Sequence, residues 1–385
     1  MKHKKTILLI PILLSLSTAY ALPTVSNIAY PPYIIKPNTP ATYASGLTPS
    51  KIKLAYSFTN LPFQGAGQTI AIVDAYDDPK AEADLGVFSK NFRLAACTTA
   101  NGCFKKVYAA GSKPAGNAGW GVEISLDIQW AHAIAPKAKI ILVEAKDSSF
   151  NSLFQAISVA ITQGATVVSM SWGGSEFAQE TGFDSTFNVP NVVFTASSGD
   201  GGHGTIYPSV SPNVIAVGGT TLTVDASGNY LSENAWSGSG GGVSVYEKEP
   251  TYQTNFPLPN NPQNLRGVPD ISYNADPNSG FSVYDSYGQP GWMVIGGTSA
   301  GSPQIAAMIA VAKSGTSKKL TTVNSSLYAI GKSQYLANFH PITTGTNGSC
   351  GYYCTAIFGY NYVTGIGTPQ AASLVYQLIQ DGLSQ

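Results

Sequence analysis

Five short runs of this 385-residue chain are continuously apolar or nearly so. They are Thr69-Ile70-Ala71-Ile72-Val73, Ile140-Ile141-Leu142-Val143, Thr166-Val167-Val168-Ser169-Met170, Val192-Val193-Phe194-Thr195 and Val214-Ile215-Ala216-Val217. A strand with one wet face alternates apolar and polar residues, whereas a continuous run suits a strand buried on both faces. Helix-like stretches at 80–91, 118–135 and 149–163 lie between several of the runs. Strand–helix alternation of this kind predicts an α/β fold, with a central, mostly parallel sheet and helices on both faces. No linker or internal repeat interrupts 46–380, so residues 46–385 read as one large domain.

The first 21 residues read as a secretory signal peptide. Lys2, Lys4 and Lys5 precede a short apolar stretch, Ile7 to Leu16, and Ala19-Tyr20-Ala21 offers a small-x-small cleavage site. Residues 22–45 are rich in Pro, Tyr, Asn and Thr and read as a short extended leader. Without the signal the chain holds 18 basic and 21 acidic residues, which points to no nucleic-acid or membrane surface. Charged residues are 11% of the chain, against about 25% in ordinary domains. A surface poor in carboxylates has little to lose in acid, so the composition suits an acidic workplace. Cys97, Cys103, Cys350 and Cys354 form two close pairs. In a secreted chain they are expected as disulfides 97–103 and 350–354, ahead of the other pairings and of a zinc site. Asn324-Ser325-Ser326 and Asn347-Gly348-Ser349 match the glycosylation acceptor pattern of a eukaryotic host.

The chemistry centres on Gly297-Thr298-Ser299-Ala300-Gly301-Ser302-Pro303, which runs into the helix-forming Gln304-Ile305-Ala306-Ala307-Met308-Ile309-Ala310. A serine at a helix N-terminus lies beside free N–H groups and the positive end of the helix dipole, as a nucleophile's oxyanion needs. Gly-x-Ser-x-Gly also matches the α/β-hydrolase elbow, but that fold needs an acid and then a histidine after the serine. No Asp or Glu separates Ser299 from His340, and only Asp381 follows, so that reading fails. Glu123 and Asp127 are four residues apart and share one helix face. Val122, Ile124, Leu126, Ile128, Trp130 and Ala131 surround them, and a helix apolar almost all round is buried. Two buried neighbouring acids cannot both ionise cheaply; they share a proton, and one of raised pKa can serve as general base. His132 points away from Glu123 on the same helix, His203 in its Gly-rich loop is a candidate substrate-side group, and His340 lies near the C-terminus. Asp200 follows an apolar run at its C-terminal end, where open α/β sheets place their sites; taken alone, it reads as a turn residue.

In this order the segments resemble the sedolisins, serine-carboxyl peptidases related to subtilisin in which a glutamate replaces the catalytic histidine. Further markers are Gly46-Leu47-Thr48-Pro49 with Ala55-Tyr56, Ala133-Ile134-Ala135-Pro136, Ser169-Met170-Ser171-Trp172-Gly173, Tyr207-Pro208 and Pro269-Asp270-Ile271-Ser272. The resemblance implies a subtilisin-like three-layer fold and an acid serine endopeptidase acting on proteins or peptides. Ser299 would attack, Glu123 would take its proton, and Asp127 would hold Glu123. A protonated Asp200 would donate to the oxyanion together with the Ser299 N–H. Asp74 would extend the carboxyl network, and Trp172 would buttress the site or simply pack in the core. The family carries a much longer propeptide, so latency here is brief, supplied otherwise or absent. Its C-terminal calcium site uses two aspartates, where this chain has Pro341 and Asn361. Losing both anionic ligands predicts no bound calcium and no cofactor. A monomer is expected. The competing readings are a tripeptidyl-peptidase of the same family, a Ser-His-Asp peptidase using His203 or His132, and a non-catalytic secreted binding protein on this scaffold.

Overall fold

The computed structural model describes residues 27–39, 41–317, 320 and 323–384; the expected signal peptide lies outside them. The strands are β1 (Ile34–Ile35), β2 (Thr69–Ala75), β3 (Phe104–Tyr108), β4 (Lys139–Ala145), β5 (Val167–Met170), β6 (Val193–Ser197), β7 (Val214–Val224), β8 (Tyr230–Ala235), β9 (Ile271–Asn274), β10 (Phe281–Asp285) and β11 (Gly291–Gly296). The helices that matter here are α1 (Ala81–Asn91), α2 (Ala118–Ile134), α3 (Phe150–Thr162), α4 (Gly301–Ser314) and α5 (Ala371–Ser384).

All five apolar runs become strands of one sheet, in the order β3-β4-β2-β5-β6-β7-β8, with β9 also paired to β7. Every pairing is parallel except β7 with β8. Alternate residues face opposite cores. Ile70, Ile72, Ile140 and Leu142 join one core with α1, α2, α4 and α5. Ala71, Val73, Ile141 and Val143 join the other with α3. Burying each such aliphatic side chain stabilises the fold by about 1.5–3 kcal/mol, which is why uninterrupted apolar runs were needed. The layers match the expected α/β architecture. β3 was not anticipated, because Lys105 and Lys106 break its apolar pattern at the sheet edge.

β2 lies between β4 and β5, so the chain switches sides of the sheet across it. Crevices at such switch points, outside the carboxyl ends of the strands, are where α/β sheets bind ligands. Asp74 is in the last turn of β2, Ser171 and Trp172 follow β5, and Asp200 follows β6. The N-terminus of α4 is tied to the same strands, since Ser302 Oγ lies 2.9 Å from Ser169 Oγ and 3.0 Å from Thr195 Oγ1. A buried ion pair fixes the neighbouring strand start. Arg266 Nη2 lies 2.6 Å from Asp270 Oδ2, which also accepts from Ala216 N, while Asp270 Oδ1 accepts from Tyr328.

Both expected disulfides form, Cys97–Cys103 and Cys350–Cys354. The two glycosylation patterns are spent on structure. Asn324 Nδ2 donates to Val214 O, and Asn347 is buried with Nδ2 donating to Ser239 O. Among the described residues no helix is long and apolar enough to cross a membrane.

Candidate active site

α2 begins where Asn117 Oδ1 accepts the Trp120 N–H at 3.1 Å, satisfying an orphan donor of the first turn. Every residue from Trp120 to Ile134 is buried, as the all-round apolar pattern required. Glu123 and Asp127 are therefore carried into the interior with no exposed surface. Ser299 sits in the tight turn Thr298–Ala300 that leads into α4. Gly297 starts that turn at φ 118°, a conformation that strains any residue with a Cβ. A Cβ there would also lie 2.4 Å from the Pro32 carbonyl oxygen and 2.5 Å from Asp200 Oδ2.

Glu123 lies beside the Ser299 hydroxyl and the Asp127 carboxyl, and all three are fully buried. Burial, then the Asp127 and Asp74 charges, hold the Glu123 carboxyl well above the usual carboxylate range. Burial pushes Asp127 up to about 8, partly opposed by the Ser171 hydroxyl and by Glu123. Asp74 is also driven well up, by burial and then by the charges of Asp127 and Glu144. The oxygens of Glu123, Asp127 and Asp74 and the Ser299 hydroxyl have no aligned hydrogen-bond partner. A dry set of three facing carboxyls must hold protons, and a proton held between Glu123 and Asp127 is what lets one of them act as a base.

Asp200 is oriented by its neighbour across the site. Its Oδ1 accepts from Thr298 N at 2.8 Å and from Thr298 Oγ1 at 2.9 Å. Its Oδ2 is buried without a partner. Burial raises the carboxyl to about 7, against the pull of the two Thr298 bonds. The proton belongs on Oδ2, since Oδ1 already accepts twice. Oδ2 and the Pro32 carbonyl oxygen both border Gly297, and the Ser299 N donates to that carbonyl at 3.2 Å.

Trp172 is buried against Phe150, and its Nε1 donates to Val73 O at 2.8 Å, bracing the residue before Asp74. Ser171, not singled out from the sequence, lies beside Asp127, and its Oγ donates to Ser299 O at 3.2 Å. Thr298 was also missed. Each is a small polar residue next to a motif residue, a signal too common to stand out alone.

The histidines lie apart from the Glu123–Ser299 pair. His132 is buried with Nε2 2.7 Å from Ala95 O, His340 stacks on Tyr230, and the exposed His203 lines a recess of about 330 Å³ beside Asp200.

Residues 27–36 of the expected leader cross this site. Ala29 N donates to Ser148 O at 2.8 Å. Tyr30 N donates to Gly173 O at 2.9 Å, and Gly173 N to Tyr30 O at 3.2 Å. Past Pro32, β1 pairs antiparallel with Ile295 and Gly296 of β11, and Tyr33 Oη donates to Gly119 O.

The sequence matches the model of the subtilase family over residues 109–337. It is 32% identical to kumamolisin of Bacillus sp. (strain MN-32) over 86% of this chain and 63% of that one. It is 28% identical to sedolisin of Pseudomonas sp. (strain 101) over 88% of this chain and 62% of that one. The chain belongs to the subtilase family, on its sedolisin branch. It spans less than two thirds of the length of these two relatives. A solved structure of Pseudomonas sedolisin, a serine-carboxyl proteinase bound to two molecules of pseudo-iodotyrostatin, superposes with a TM-score of 0.76. That match covers 88% of this chain and 100% of the other at 28% identity.

Asn361, at a position where the family resemblance implies a calcium-binding aspartate, is hydrogen-bonded within its own loop. The Asn361 Nδ2 donates to Ile357 O at 3.1 Å and to Ile342 O at 3.4 Å. Its Oδ1 accepts from Val363 N, Thr364 N and Thr364 Oγ1. A neutral amide thus satisfies two carbonyls next to Pro341 and in the 357–361 loop, where a cation would need anionic oxygen donors. These residues do not fit a calcium ion.

Proposed function

We propose that this protein is a secreted serine-carboxyl endopeptidase, cleaving peptide bonds of protein substrates in acid through an acyl-enzyme. The observation that carries the reading is the position of Glu123 between the Ser299 hydroxyl and Asp127, deep in the protein, with no described histidine among the groups that act on it. Ser299 Oγ attacks the carbonyl carbon and passes its proton to Glu123. Asp127, braced by Ser171 and Asp74, keeps Glu123 oriented and shares the remaining proton of the pair. The negative charge that develops on the carbonyl oxygen meets the Ser299 N–H and the protonated Oδ2 of Asp200. A neutral acid is required there, since a carboxylate would repel the oxyanion. The intermediate collapses as Glu123 returns the proton to the leaving nitrogen, giving the acyl-enzyme. Water then repeats the sequence, with Glu123 again as base.

Endopeptidase action, rather than removal of tripeptides, is supported by the room on the acyl side of Ser299. Six residues, 27–32, lie on that side of the carbonyl that faces the serine, so the cleft is not closed after three. The bond of His132 to Ala95 O and the stacking of His340 on Tyr230 speak against a base from either. The two disulfides and the apolar N-terminal run support secretion. The calcium-free reading of the C-terminal loop rests on Asn361.

The test is a pH–rate profile from pH 2 to 9 on an unstructured protein, with Glu123→Ala and Ser299→Ala beside wild type. Activity confined to acid and lost in both variants is expected. A neutral optimum that survives Glu123→Ala would return the role of base to a histidine. Inactivity at every pH would favour a non-catalytic binding protein.

A further inference from the structure

We propose that Glu144 is a positioning residue for the reaction, a fixed hydrogen-bond donor at the far end of the carboxyl chain that leaves Glu123 as the member able to accept the Ser299 proton. This rests on the peptidase reading above. Asp74 and Glu144 are paired residues of the neighbouring parallel strands β2 and β4, so their side chains stand on the same face of the sheet. Both are fully buried, and the Glu144 charge acts on Asp74 as Asp74 acts on Glu123. The carboxyls therefore run Glu123, Asp127, Asp74, Glu144, from α2 through β2 to β4. The outer end is anchored at the sheet edge. Glu144 Oε1 accepts from Asp78 N at 2.9 Å and from Lys106 Nζ at 2.9 Å. Lys106 comes from the edge strand β3, and its other two N–H groups go to Asp77 Oδ1 at 2.5 Å and Asp78 O at 2.6 Å. Lys113 completes the set on Asp77 Oδ2 at 3.1 Å.

The anchor decides which Glu144 oxygen carries the proton. Oε1 is taken twice as an acceptor, so the proton belongs on Oε2. Oε2 is buried with no partner, as are both oxygens of Asp74. A proton on Oε2 therefore points to Asp74, its neighbour on the same face. An Asp74 oxygen that accepts leaves the Asp74 proton on the other oxygen, toward Asp127, and Asp127 repeats the step toward Glu123. Every proton then points at Glu123, whose remaining neighbour, the Ser299 hydroxyl, is itself a donor. Burial raises Glu144 to about 8, against the Asp78 N–H and Lys106, so the donor persists throughout acid. The other charged groups here have partners of their own. Asp77 is held by Lys106 and Lys113, Asp78 Oδ1 accepts from Lys80 N, and Asp84 and Asp285 accept from Ser286 N and Tyr287 N.

Two variants of the full chain test the proposal. Glu144→Gln keeps the donor, since its carbonyl can accept from Asp78 N and Lys106 while its amide donates to Asp74. Glu144→Met fills similar space with no donor. The infrared difference between wild type and Glu144→Gln at about pH 6, above ordinary carboxyl values, should show the loss of a protonated carboxyl. In Glu144→Met the charge left on Glu123 is less stabilised. The acid limb of kcat should therefore move up by about one pH unit, and the rate below it should fall about tenfold. Glu144→Gln should restore both, with kcat within about threefold of wild type and the limb in place. KM should hold in each variant, because Glu144 does not touch the substrate. Loss of a carboxylate band in place of the protonated one would overturn the proposal, and this measurement needs only the near-isosteric Gln variant to fold. So would a folded Met variant with the wild-type limb, or a Gln variant as slow as Met. If the infrared difference puts the proton on Glu144 while wild type hydrolyses nothing at any pH, the peptidase reading fails and the positioning role fails with it.

Discussion

Asp200 is the residue whose substitution separates a proton-bearing oxyanion donor from a merely structural acid. Two of its features set the prediction. Oδ1 is committed to Thr298 N and Oγ1, so only Oδ2 can face the substrate oxygen. Burial lifts the carboxyl to about 7, so Oδ2 carries its proton below that pH and loses it above. The active form is the protonated one, and activity should fall as pH rises through that value. Asp200→Ala removes one oxyanion donor, which costs about 10²–10³ in kcat, or about 2.7–4 kcal/mol. Asp200→Asn is different. Its carbonyl can accept both Thr298 bonds while its amide N–H₂ takes the place of the acid proton, at every pH. The Asn variant should therefore keep kcat within about tenfold of wild type, since it still donates where Ala does not. Its alkaline limb should move up to the next proton lost, that of the Glu123–Asp127 pair, with Asp127 at about 8. The assay is kcat against pH on a short peptide for the three proteins. An Asn variant as slow as Ala, or one with the wild-type alkaline limb, would refute the role given to Asp200.

Glu123→Gln keeps the shape of the base but cannot accept the Ser299 proton, and should lower kcat by about 10²–10⁴, read by steady-state kinetics. Asp270→Ala leaves Arg266 charged and unpaired where both are fully buried, and should lower unfolding free energy by about 3–5 kcal/mol in urea. Chelator should leave the melting temperature of wild type unchanged, because the Asn361 amide already satisfies the loop carbonyls; bound stoichiometric calcium in the purified protein would contradict this. Stability should fall as pH rises from about 4 towards 8, followed by thermal unfolding of Ser299→Ala. The sign follows from carboxyls held above their unfolded values, Asp127 and Glu247 at about 8 and Asp285 at about 7: the folded state binds more protons there, so each costs stability as the pH climbs past the ordinary carboxylate range.

The central sheet was legible because each buried strand needs a continuous apolar run, and no other class of element explains Thr69–Val73 or Val214–Val217 as well. The edge strand β3 was not, since Lys105 and Lys106 belong to a place where only one neighbour pairs. Glu123 and Asp127 could be read because acids inside an all-apolar helix contradict their surroundings. Asp200 could not stand alone, for an Asp among glycines is an ordinary turn; its partner Thr298 is 98 residues away. The path of residues 27–36 across the site was the least legible. Residues 22–45 have no periodicity, and their pairing is set by the walls of a cleft assembled from β11, Gly173 and Ser299, which lie far apart along the chain.

Acid conditions connect the catalytic proposal with the rest of the protein. The proton that Asp200 must keep, and the one Glu123 and Asp127 must share, are both bound only because the site is dry. Burial also raises a second group of acids, lifting Glu180 to about 9 and Glu247 to about 8 beside Glu176. In neutral solution such groups set burial against ionisation, and an ordinary domain would replace them or pair them with bases. This chain has few bases to offer, since charged residues are 11% of it. Protonated carboxyls solve the problem differently, because a neutral acid can be buried and still donate a hydrogen bond. On the proposed mechanism, the low charge read from composition, the carboxylate base and the buried acids would be one adaptation. A revertant enzyme with histidine at position 123 would keep the fold, yet it would gain a base whose charged form is favoured in acid, where Glu123 is needed to accept a proton.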